Sequence, residues 1–128
     1  MDPSGAIGRD RLWLLVDYLA DMAHRDRREV VSRLNVLLVH IIQWIDQPER
    51  RSRSWLATVV EQRQELHSLL GRGILHQHAA TILPNAYRKA VERTVVETGR
   101  NTALFPDNGP YSLQDLLESD QIVDDHQN

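Results

Sequence analysis

The 128-residue chain contains no cysteine. Disulfides, thiolate nucleophiles and cysteine-ligated zinc are therefore excluded together. Aromatic residues are scarce at 5 %, so the three tryptophans stand out as anchors worth following one by one. Lysine is almost missing as well: Lys89 is alone among fifteen basic residues, and the rest are arginine. No apolar run approaches the roughly 20 residues of a membrane span. The opening "MDPSGAIGRD" carries acids and no apolar core, which is unlike a signal peptide, so no membrane association and a cytoplasmic location are expected. Glycine-rich phosphate loops, G-x-S-x-G elbows and dinucleotide fingerprints are all lacking, and no cofactor is expected. There is no strand-like alternation, internal repeat or low-complexity tract.

What is present has a helical period. The length suits one domain, and the hydrophobic fraction of 41 % is that of a globular protein. Leu12, Leu15, Val16, Leu19 and Met22 recur at spacings of three and four, which predicts a helix over Asp10–Met22. A second helix is expected over Asp26–Ile45. It is apolar on so many sides that it belongs at the centre of a bundle. Pro48 ends it, and Ser52 or Ser54 caps a third helix carrying Trp55, Val59, Gln62, Leu66, Leu69 and Leu70. "GRG" at 71–73 is the next stop. The fourth helical region starts near Ile74 and is divided by Pro84, with the longer part running from Pro84 to Glu97. Ser112 and Asp115 stand at capping-box spacing before a short last helix. The expectation is an all-α, single-domain bundle of four main helices plus a short C-terminal one. It occupies residues 10–119, between a disordered or extended stretch at 1–9 and an acidic tail at 120–128.

The tract "SRLNVLLVHIIQWIDQPERRSRSWLATVVEQRQEL", with "LPNAYRKAVERTVVETG" and "FPDNGPYSLQDLLE", resembles a bacterial family catalogued as domain of unknown function 29. The resemblance covers roughly Trp13 to Glu118 and is most specific at His40, Trp44, Gln47-Pro48, Arg51, Ser54-Trp55 and Glu61-Gln62-Arg63. It implies a helical bundle and no particular activity. It also implies a further aromatic-bearing helix in front that the first ten residues cannot supply. One bundle face is then left uncovered around Trp13, Leu14 and Val16, and a homodimer is expected.

Three constellations bear on chemistry. The net charge is −3, yet arginines dominate between Arg25 and Arg63 while acids gather at the C-terminal end. Within that basic region "QWIDQPERRSRSW" places Arg50, Arg51 and Arg53 between Trp44 and Trp55, just before a helix start. Free amides and planar guanidinium forks there favour a phosphate, an RNA backbone or an acidic protein segment. The bland alternative is a packed corner whose arginines are solvated or paired with Asp46, Glu49 and Glu61. Secondly, Arg33 and His40 lie two turns apart on one side of a helix, which is similar to the arginine–histidine signature of HEPN ribonucleases. That resemblance implies Arg33 stabilising phosphate charge and His40 moving a proton without metal. Leu34 stands where the signature usually has a polar residue, and a packing role is the alternative. Thirdly, His67, His76 and His78 flank the glycine turn but match no zinc spacing, so no metal site is expected. The leading expectation is a non-enzymatic interaction module binding a protein or anionic partner through the arginine corner. The alternative is a toxin-type, metal-independent ribonuclease using Arg33 and His40.

Overall fold

The computed structural model of the protein describes residues 3–71, 73–99, 105 and 111–118, and every regular element among them is helical. Helix α1 spans Pro3–Asp46, followed by a single 3-10 turn at Pro48–Arg50. Helix α2 spans Arg53–Leu70, α3 Gly73–Thr98 and α4 Leu113–Glu118. Contacts of Arg33 with Gln62, and of His40 with Trp55, show that α2 runs back along α1. The tight turn at Gly71 then sends α3 in the direction of α1 again.

Two expected divisions are absent. The helices expected over 10–22 and 26–45 are one 44-residue helix, and it begins at Pro3, so residues 3–9 are helical too. Nothing between Met22 and Asp26 breaks a helix. The apolar stripe through Leu12, Leu15, Leu19, Met22 and Ala23 also keeps phase with Val30 and Leu34. Likewise α3 continues through Pro84, and with the first two expected helices joined the bundle has three long helices rather than four. The carbonyl that loses its amide partner to proline belongs to Ala80, which is exposed and open to water. The acidic tail expected at 120–128 lies outside the described residues.

The core bears out the central place of the 26–45 segment. Val30, Leu34, Leu37, Leu38, Val39, Ile41, Ile42 and Trp44 supply eight of the twenty buried hydrophobic residues in the described chain. Leu66 and Val59 from α2, Ala79, Ala86 and Ala90 from α3, and Leu116 from α4 close around them. Alanines on the α3 face let its backbone come near α1, the pair with the most extensive contact. Ser112 and Asp115 form the expected capping box: the Asp115 amide donates to the Ser112 hydroxyl at 3.1 Å, and the Ser112 amide donates to the Asp115 carboxylate at 3.2 Å. Arg63 of α2 donates from Nε to the Leu116 carbonyl at 2.7 Å and ties α4 down.

The burial pattern leaves one half of α1 out. Every residue from Arg9 to Asp21 is exposed, and the first fully buried position is Val30. At about 1.5 Å per residue, this half of the helix stands roughly 30 Å beyond the bundle. Its exit lies level with the α2–α3 turn, at the end opposite the arginine corner.

Candidate functional site

The corner between α1 and α2 is built by its own sequence. Gln47, buried at the end of α1, has its amide donating to the Gln43 carbonyl at 2.8 Å. Pro48 starts the 3-10 turn, where a missing amide costs nothing, and Arg51 leaves it in extended geometry. Ser52 is the cap: its hydroxyl accepts from the Trp55 amide at 3.2 Å, while Ser54 touches that hydroxyl from the side at 3.1 Å.

The three arginines do not act alike. Arg51 is half-buried, donates from Nε to the Trp44 carbonyl at 2.7 Å, and holds its guanidinium carbon 5.1 Å from the Trp44 ring centre. It thus satisfies a last-turn carbonyl of α1 that has no helical donor. Arg50 and Arg53 are exposed and make no ion pair with a described residue. Trp44 is buried in the core, and Trp55 is half-buried with its indole N–H donating to the His40 carbonyl at 3.2 Å. The corner that the sequence offers as a cluster of three cations presents two.

Arg33 and His40 sit within the α1–α2 seam. Arg33 donates to the Glu29 carboxylate at 2.9 Å and to the Gln62 amide oxygen at 3.3 Å, and it faces the Glu65 carboxylate as an ion pair at 3.8 Å. His40 donates from Nδ1 to the Val36 carbonyl at 2.8 Å, and its ring meets the Trp55 ring edge-on at 5.8 Å. These are contacts that lock neighbouring turns and helices together. Close to the same seam, Arg93 first and Gln43 second hydrogen-bond Glu97 and hold its carboxyl below the usual carboxylate range. Burial raises the phenols of Tyr87 and Tyr111 above their ordinary value.

The three histidines near the glycine turn separate. His67 and His76 share a cavity of about 300 Å³ with Gln114, Leu117 and Glu118, whereas His78 lines another between α1 and α3. Among the described residues no three of His, Asp and Glu come close enough to hold a metal ion.

The feature that sequence reading undervalued is the size of the uncovered surface. Trp13 and Leu14 are each 69 % exposed, and Leu12, Leu15, Val16, Tyr18 and Leu19 lie between 51 % and 60 %. The sequence signal was there in "LWLLV", apolar around the whole circumference of a helix, a pattern that belongs in an interior.

The family described as Domain of unknown function DUF29 has a sequence model that matches residues 12–122. Neither the curated proteins nor the solved structures contain a match.

Proposed function

The chain belongs to the DUF29 family, whose description assigns no activity, and from its geometry we propose a non-enzymatic interaction module that pairs with a second copy of itself through the projecting half of α1. The observation that carries this reading is the group of seven large apolar side chains exposed between Leu12 and Leu19. At about 100 Å² for each half- to two-thirds-exposed side chain, they leave roughly 700 Å² of apolar surface open, more than the ~300–600 Å² patch of an ordinary monomer. It is spread around the helix, and the stripe through Leu12, Leu15 and Leu19 is the face that a second copy can cover. Water is the worst neighbour for it.

A second copy suits this surface electrically. The exposed stretch 9–21 carries two arginines (9, 11) and three aspartates (10, 17, 21), so the segment has a net charge of −1 with the signs interspersed. Two such helices approach without strong repulsion and can match unlike charges along the rim. The exposed Arg50 and Arg53 add a smaller cationic contact at the far end of the bundle, available to an acidic partner. Arg33 and His40 serve in this reading as packing residues, consistent with the partners that each already holds.

Sedimentation at about 10 µM tests the proposal. One chain weighs 14.8 kDa, and the wild type should sediment at twice that mass. Leu15→Ser with Leu19→Ser, both exposed in one chain, should sediment as a monomer with an unchanged helical circular-dichroism spectrum. A monomeric wild type defeats the proposal. Cleavage of single-stranded RNA that is lost in His40→Ala would instead favour the ribonuclease reading.

A further inference from the structure

A shallow cavity of about 530 Å³ opens between α1 and α3, close to where α1 leaves the bundle. Its wall consists of Arg27, Arg28, Val31, Ser32, Asn35 and His78. Arg28, Ser32 and Asn35 follow one another at helical spacings of four and three, so they share a face of α1. His78 approaches from α3. We propose that this cavity binds the phosphate group of a small phosphomonoester.

The donor set is what an oxyanion needs. Residues bearing two guanidinium groups, a hydroxyl, a carboxamide and an imidazole line the cavity, and no carboxylate is among the described lining residues. Arg27 and Arg28 are exposed and make no ion pair with a described residue, in contrast to Arg33 and Arg93, which are held by glutamates. Their charge is therefore available to a ligand. His78 adds a separate observation: its Nε2 is buried and has no hydrogen-bond partner among the described residues. Buried polar atoms are ordinarily satisfied, and a rotation of the imidazole toward the adjoining cavity would give this one an acceptor oxygen there.

The surroundings favour a small molecule over a nucleic acid. A backbone-tracking surface requires cations in succession. The neighbouring cavity along α1 combines His24, Arg25 and Arg28 with Asp21, and that acid interrupts any such track. The cavity is larger than a phosphate alone, and most of its wall is apolar, a surface on which the organic portion of a nucleotide-sized ligand can rest.

Calorimetric titration of the full chain with adenosine 5′-monophosphate, inorganic phosphate, adenosine and a short oligoribonucleotide is the test. The monophosphate and inorganic phosphate should bind saturably, and adenosine should give no heat. Arg27→Ala with Arg28→Ala should weaken the monophosphate by roughly tenfold or more, and lysine at both positions should restore part of the loss. Arg50→Ala with Arg53→Ala, equal in charge removed but remote from the cavity, should change nothing. Addition of phosphate should also shift the imidazole nitrogen resonances of His78. Failure of both phosphate probes to bind, or an equal loss in the two double variants, would overturn the proposal. So would an oligoribonucleotide that depends on Arg27 and Arg28 while the monophosphate stays silent, since the surface would then serve nucleic acid.

Discussion

Replacing Arg51 with alanine separates the two roles that a cluster of arginines can have. The side chain makes one charged hydrogen bond, Nε to the Trp44 carbonyl at 2.7 Å, and one stacking contact at 5.1 Å over the same tryptophan. A charged hydrogen bond contributes about 1.5–3 kcal/mol, and a partly exposed cation–π contact adds about 0.5–1 kcal/mol. Arg51 is only half-buried, so solvent screening lowers the sum, and a loss of about 2 kcal/mol is expected. For a chain of this length that corresponds to a fall in Tm of roughly 6–8 °C. Arg51→Lys retains the charge but not the planar fork, and should recover about half of the loss. Arg53→Ala and Arg50→Ala, both solvated, should stay within about 0.5 kcal/mol of wild type. Urea unfolding followed by circular dichroism measures all four variants, with the m-value as the check on two-state behaviour. An Arg51→Ala protein as stable as wild type would refute the bracing role. So would an Arg53→Ala protein that loses as much as Arg51→Ala.

Gly99 has φ +71°, the only positive φ among the described residues, and its amide donates to the Val95 carbonyl at 2.8 Å to close α3. Beyond its chain neighbours, no atom of a described residue lies within 4 Å of an added Cβ, so Gly99→Ala should cost about 1 kcal/mol through backbone strain, read by thermal unfolding. Ser52→Ala removes the hydroxyl that caps α2 and should cost about 1 kcal/mol, whereas Ser54→Ala should cost much less. Glu97 has its folded pKa lowered, chiefly by the Arg93 hydrogen bond and then by Gln43. Its contribution is therefore present above the ordinary glutamate pKa and is lost as pH falls through the lowered folded value. The stability gap between wild type and Glu97→Gln should shrink as pH falls from about 7 to about 3, and a gap that grows on acidification would contradict the assignment.

Local chemistry was legible in the sequence wherever a feature depends on a few consecutive residues. Pro48 ends a helix because its ring removes a donor, and α1 does stop at Asp46. Ser52 precedes α2 and Ser112 faces Asp115 because a hydroxyl three residues before a free amide can reach it. The stripe from Val30 to Trp44 is the most buried part of the molecule because no other segment is apolar on so many sides. Helix continuity was harder to read. Met22–Asp26 and Pro84 look like boundaries on paper, yet a long helix passes a charged patch or a single proline when the exposed carbonyl can be hydrated.

Tertiary structure decided what depends on residues far apart in the chain. Arg50, Arg51 and Arg53 are alike in sequence. Only the path of the 3-10 turn directs Arg51 onto the Trp44 carbonyl and leaves the other two in water. His78 joins Arg27 and Arg28 across some fifty residues because α3 returns alongside α1. The exposed half of α1 follows from length. The α2–α3 turn ends the neighbouring helices before α1 does, so the same apolar stripe that forms the core beyond Val30 is open over residues 9–21. By itself the sequence determined the helical class, the helix stops and caps, and the apolar stripe, because each is set by periodicity or by neighbours a few residues apart. Which part of that stripe is core and which is open surface was decided by where the other helices end, a relation that exists only once the chain has packed.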